Sequence, residues 1–179
     1  LKTLIHIPTV LQTVFDTASA ALLDRSPDPF QTFYNWGSTV DIQTQLIIKA
    51  KSQRVKYPLM WLFRPFDELV NDLDGYYANL KGVKIFFVQQ TEADKTDQQR
   101  TNLTFTNRLY PFVEEFLKAL EASPYFSTSG MTWKKTDYPY YDGRDGKGAN
   151  IFPESTDVVL LTLENLKVNE SVCFSFKMK

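Results

Sequence analysis

The stretch TDVVLLTLENLKV, Thr156–Val168, is a nearly unbroken run of Val, Leu and Thr. Val and Thr carry branched β-carbons, which suit a pleated strand, and a strand buried on both faces reads as a continuous apolar run. We expect one long strand here, or two short ones. Immediately downstream, SVCFSFKMK alternates: Val172, Phe174, Phe176 and Met178 fall on one face, and Cys173, Ser175, Lys177 and Lys179 on the other. That period of two predicts a strand with one wet face. The C-terminal part of the chain is therefore β, and the fold class depends on what precedes it.

Upstream the pattern changes. Ile7, Val10, Leu11, Val14, Phe15, Ala18, Ala21 and Leu22 recur at the spacing of one helix face, with Pro8 in the first turn, where its missing N–H costs nothing. The prolines of Asp24–Pro29 end that helix. FQTFYNWG (Phe30–Gly37) predicts a short aromatic strand. STVDIQTQLIIKAKS fits either period, and Ser38 or Thr39 as N-cap with Asp41 in the first turn favours a helix. KYPLMWLFRP predicts a strand buried on both faces, DELVNDLDG a polar connection, and YYANLKGVKIFFVQQT the next strand, centred on Val83–Gln89. Glu92–Asn102 lacks an apolar anchor and predicts an exposed, mobile loop. A second strong helix follows, burying Leu109, Phe112, Val113, Phe116, Leu117 and Leu120, with Asn107 as N-cap and Pro111 early enough to be tolerated. Helices and strands in this order predict a single α+β domain over residues 1–179, with two or three amphipathic helices on one face of a mainly antiparallel sheet and long exposed loops.

Composition narrows the function. The 179 residues are 43% hydrophobic, with 14 Phe, 9 Tyr and 3 Trp, enough for a real core. Twenty basic against 21 acidic residues give a net charge of −1, which argues against a general nucleic-acid binder. The single cysteine, Cys173, allows no internal disulfide and points to a reducing compartment. No apolar run approaches the roughly 18 residues needed to cross a bilayer, so no membrane partner is expected. The N-terminal LKTLIHIPTVLQTVFD lacks the pattern of an export signal.

The segment YPYYDGRDGKGANIFPESTD, Tyr138–Asp157, holds most of the obvious chemistry. A calcium loop with Gly148 at its sixth position sets Glu154 at the twelfth but Lys147 at a ligand position, and an ammonium cannot ligate; the register on Gly146 sets Phe152 last. A looser site on Asp142, Asp145 and Asn150 stays open. Gly146–Lys147 is followed by glycine, not Ser or Thr, and Tyr141 stands where a phosphate loop needs glycine. The segment therefore predicts a glycine-rich, solvated turn. His6, the only histidine, sits at the start of the first helix and predicts a structural role. One His and one Cys cannot form an ordinary zinc site. Glu114–Glu115 and Asp72–Asp74 predict solvated surface. No catalytic, cofactor-binding or metal-binding residue is assigned, and no cofactor or enzyme activity is expected.

Several features together carry a resemblance. They are the opening amphipathic helix, NWG at Asn35–Gly37, YPLMWL at Tyr57–Leu62 and a strand leading into Thr91, Asp94, Thr96 and Arg100. After these come NRLYPFVEEFLKAL at Asn107–Leu120 and the YYDG turn before Asp157. In order and spacing the chain resembles small neck proteins of tailed bacteriophages, of the tail-terminator or tail-completion kind. The resemblance implies a structural virion protein, assembled in the host cytoplasm, that forms a homo-oligomeric ring, commonly a hexamer, at the head-proximal end of the tail tube. Such a ring ends tube growth and docks the head connector. Its implied partners are itself, the tail tube protein and a head-completion or connector protein, with DNA passing through the ring but not read by sequence. The resemblance transfers no site residues. Two polar stretches are expected as contact elements: Glu92–Asn102, with Asp94, Lys95, Asp97 and Arg100, and Tyr138–Asn150, with Tyr141, Arg144, Asp145 and Lys147. Two alternatives remain: another head-tail connector or adaptor, and a soluble enzyme whose acids lack a motif.

Overall fold

The computed structural model describes residues 4–51, 56–70, 75–141, 151–152 and 154–170. The chain is α+β, with sheets that are mainly antiparallel. Its centre is a two-stranded ribbon. β5 (Val83–Gln90) pairs antiparallel with β8 (Thr156–Glu164), and β4 (Tyr76–Lys81) pairs with β9 (Leu166–Asn169). The register runs through the junction without a slip, since Val83 faces Leu163 on one side and Leu80 faces Leu166 on the other. Both strands bend at the same level. Gly82 has φ +64° and Asn165 φ +59°, a region open to Gly and tolerated by Asn. The Gly82 N–H donates to Glu164 Oε2 at 3.0 Å. The Thr156–Val168 run is thus two strands, and the segment expected as one strand around Val83 is also two.

The bend divides the strands into two sheets. The larger has the order β1 (Phe33–Gly37), β2 (Leu59–Phe63), β5, β8, β7 (Thr132–Tyr138). The smaller has the order β3 (Asp67–Val70), β4, β9, β6 (Phe126–Ser127). β3 occupies what the sequence suggests is a polar connection. Only β1–β2 is parallel among the described pairs. A parallel pair needs a crossover, and α2 (Thr39–Lys51) supplies it. The Asp41 carboxylate accepts the Ser38 N–H at 2.7 Å, as a cap for this helix start. Gly37 is required there, because a Cβ would lie 2.6 Å from Asp41 Cβ.

Strand alternation sends side chains to two cores. Met60, Leu62, Ile85, Phe87, Val159 and Leu161 face α1 (Ile7–Leu23), α4 (Tyr110–Ala122) and the smaller sheet. Phe87 meets Phe112 edge-on at 5.0 Å. Leu59, Trp61, Phe86, Val88 and Val158 face the other way, against Ile42 and Leu46 of α2 and against Ile151 and Phe152. Burying each such side chain contributes about 1.5–3 kcal/mol. Two helices therefore lie on one face of the larger sheet and α2 on the other. The α1 face is as expected except for Ala21, which is exposed.

The second helical region starts ten residues earlier than Asn107. Thr96 caps α3 (Asp97–Arg100) through a capping box with Gln99. A π-helical segment, Thr101–Leu109, then leads into α4. Pro111 explains the wider turn. It has no N–H for a carbonyl one turn back, and its ring crowds that position. The Asn107 carbonyl, one turn before Pro111, accepts from Arg25 Nη1 at 3.3 Å. The expected exposed loop over Glu92–Asn102 is thus partly helical, and Arg100 within it is buried.

Candidate functional site

Arg100 is the anchor that the polar sequence concealed. It is 2% exposed, and all five of its N–H donors are used. Nε donates to the Lys95 carbonyl at 3.0 Å. Nη1 donates to Thr91 Oγ1 at 3.2 Å and Asp157 Oδ1 at 2.9 Å. Nη2 donates to the Glu92 and Ala93 carbonyls at 2.7 and 3.4 Å. Tyr140 covers the guanidinium, its ring centroid 4.9 Å away. Tyr140 holds φ +56° and donates its own N–H to Asp157 Oδ1 at 2.9 Å. The Thr91 N–H reaches the Ser155 carbonyl at 2.9 Å, and the Tyr141 N–H reaches the Thr156 carbonyl at 2.8 Å.

The described parts of the two predicted contact stretches, Glu92–Asn102 and 138–141, therefore meet in one knot at the Gln90–Thr156 end of the ribbon. Arg100 is an internal strut and offers no N–H to a partner, which corrects its assignment as a contact residue. Tyr141 also turns inward, against Phe86 and Phe152 at 5.8 and 5.6 Å. Asp94 and Asp97 are exposed, and the half-buried Lys95 pairs with Glu92 at 2.9 Å. Arg144, Asp145 and Lys147 lie outside the described residues, as do Asp142, Asn150 and Cys173. Leu103 and Tyr140, 57% and 50% exposed, give the knot an apolar rim. A shallow cleft of about 210 Å³ runs between Gln89, Glu92, Leu103 and Arg108.

The Tyr138–Asp157 segment is more than a turn. Ile151 and Phe152 enter the second core, and Glu154 ion-pairs with the buried Lys56 and accepts from the Tyr57 hydroxyl at 2.8 Å. Burial, then Glu154, pushes the Tyr57 hydroxyl well above the ordinary phenol range. His6 is structural. Its Nδ1 lies 2.8 Å from Thr9 Oγ1 and its ring meets Trp36 edge-on at 4.7 Å. Burial, then Arg64, lowers its pKa.

The open surfaces lie elsewhere, on strands that the sequence did not announce. β7 ends the larger sheet, and six of its seven residues are exposed, including Trp133 at 53%. Between β7 and α4 runs an apolar groove of about 260 Å³, lined by Tyr110, Val113, Glu114, Leu117, Trp133 and Lys135. Lys135 stands 4.0 Å above the Tyr110 ring and pairs with Asp137 at 2.7 Å. β3 ends the smaller sheet. All four of its residues are exposed, with Leu69 at 50% and Val70 at 48%.

Among the described residues, no three His, Cys, Asp or Glu side chains converge as a metal site, and no helix is long and apolar enough to cross a membrane. No known protein family, curated protein or solved structure matches this chain.

Proposed function

We propose that this chain is a structural virion protein that closes into a ring at the head-proximal end of a phage tail tube, ends tube growth and joins the tail to the head connector. The order of sequence features that carries the phage-neck resemblance, from the opening helix through NWG and YPLMWL to the YYDG turn, supports this reading. The observation that carries it furthest is a pair of unlike edges: among the described residues four strands end a sheet, and two of them, β3 and β7, are almost wholly exposed. A ring of identical subunits needs two different surfaces that meet head to tail. Isolated proteins blunt or cover exposed strand edges, because unpaired N–H and C=O rows recruit other strands. Here the charges on the two edges are complementary, Asp67 and Glu68 on one and Lys134 and Lys135 on the other, and stand beside large exposed apolar side chains, Leu69 and Val70 against Trp133. The Arg100 knot suits a docking tip, since the guanidinium is satisfied internally and the rim residues, Leu103 and Tyr140, are exposed. The proposed partners are other copies of the chain, the tail tube protein and a head-completion protein.

The test is native mass spectrometry of the purified chain, with negative-stain imaging of the same sample mixed with tail tubes. A closed ring, and ring-shaped density on one end of each tube, are expected. A chain that stays monomeric and leaves both tube ends bare overturns the proposal.

A further inference from the structure

We propose that the subunits join through β3 of one copy and β7 of the next, paired antiparallel, so that the smaller sheet of one subunit continues into the larger sheet of its neighbour. This rests on the ring reading and names the surface that would build it. The two edges flank the central ribbon on opposite sides, since β3 lies outside β4 while β7 lies outside β8. A contact between them is therefore head to tail, and repeats.

The residues select one register. Antiparallel, Asp67 stands opposite Lys135, Glu68 opposite Lys134, Leu69 opposite Trp133 and Val70 opposite Thr132. Alternation then puts Asp67 and Leu69 on the face of Lys135 and Trp133, the face toward α4, where Lys135 covers the Tyr110 ring. Leu69 lands beside Trp133 at the rim of the apolar groove. Glu68 meets Lys134, which is exposed. The Glu68–Lys134 pair and the apolar pair are matched at once, the kind of cross-strand pairing that stabilises a sheet, and Asp67 joins Lys135, which already pairs with Asp137. A slip of one residue moves every side chain to the wrong face. A parallel arrangement that keeps the charges matched sets Val70 opposite Asp137 and Leu69 opposite Thr136, so neither apolar residue of β3 meets Trp133. An added strand gains affinity from main-chain bonds and specificity from alternate side chains, as in other strand-addition contacts.

The experiment is a charge exchange in the full chain, read by native mass spectrometry and sedimentation. Glu68→Lys and Lys134→Glu are made as separate proteins. Both positions are exposed; Arg64 of the same chain attracts Glu68, so Glu68→Lys is expected to unfold slightly below the wild-type temperature and Lys134→Glu at it, and both are assayed well below either midpoint. Each turns an attraction into a repulsion at every joint, and each is expected to self-associate about tenfold more weakly than wild type. Mixed in equal amounts, the two restore the joints. At one joint the two substituted positions face each other with opposite charges, and at the next the native Glu68–Lys134 pair forms. Alternating assemblies with even subunit numbers are expected. Wild-type chain that stays monomeric, variants that assemble as well as wild type, or a mixture that does not recover each overturn the pairing. Tube binding separates the two proposals. Wild-type rings that cap tubes, with variants that assemble as well as wild type, leave the terminator reading standing and remove this interface. A rescued mixture whose rings ignore tubes does the reverse.

Discussion

A guanidinium with five satisfied donors and an exposure of 2% is held by geometry that few other side chains can reproduce. Arg100→Met keeps most of the volume and removes the charge. It leaves the Asp157 carboxylate, 0% exposed, without its counter-ion. Breaking one side of a buried pair costs about 3–5 kcal/mol, and that loss is the expected shift in urea denaturation. The Arg100→Leu/Asp157→Leu double variant is expected to lose less than Arg100→Met, because no charge is stranded. A smaller loss in Arg100→Met than in the double variant would sink this account. The sequence around Arg100 reads as an exposed loop for a physical reason. Its ion-pair partner lies 57 residues away, and its neighbours Asp97, Gln98 and Gln99 are exposed. Long-range pairing leaves no local period, so a buried polar strut is hidden among solvated residues.

At the scale of elements, Thr96 is the simplest point of control. Its side chain accepts the Gln99 N–H while the Gln99 side chain accepts the Thr96 N–H at 2.9 Å. Thr96→Ala removes one half of this box and is expected to cost about 1 kcal/mol. Amide exchange across Asp97–Thr101 should accelerate more than across α4, and uniform acceleration would mean that the cap does not act locally. The buried elements were legible in different ways: α1 and α4 announce themselves by apolar spacing, β2 by an unbroken apolar run, and α2, whose spacing fits either period, only by the capping residues at its start. β7 was not, because TWKKTDY is almost wholly exposed and shows no alternation. β3 failed for the same reason, four exposed residues beginning Asp-Glu. The candidate interface thus lies where periodicity is silent, since burial that a partner would supply is absent from the single chain. Asn107 misled as a cap because a proline after a polar run resembles a helix start. The wide turn that lets the helix pass Pro111 has no short sequence signature.

At the scale of the whole molecule, the larger sheet separates two cores, and one tyrosine hydroxyl is held at each. Tyr34 packs on Phe15 and donates to the Pro8 carbonyl at 2.8 Å, which ties β1 to the start of α1. Tyr57 donates to Glu154 at 2.8 Å and ties the approach to β2 to the segment before β8. Burial raises both phenols well above the ordinary value, helped by Asp16 at Tyr34 and by Glu154 at Tyr57. The folded state therefore keeps them protonated where the unfolded chain ionises, at about pH 10. Their contribution is present in full below that pH and is lost as pH rises, because ionisation draws the chain toward the unfolded state. Each phenol adds a slope of up to about 1.4 kcal/mol per pH unit. Denaturation midpoints are expected to fall steeply above about pH 10, and the Tyr34→Phe/Tyr57→Phe double variant is expected to fall less steeply. At neutral pH that variant should be less stable by about 1 kcal/mol for each hydrogen bond removed. The two curves should converge as the wild type loses its advantage in alkali. Parallel curves would mean that the phenols ionise alike in both states, and that neither core is closed around its tyrosine.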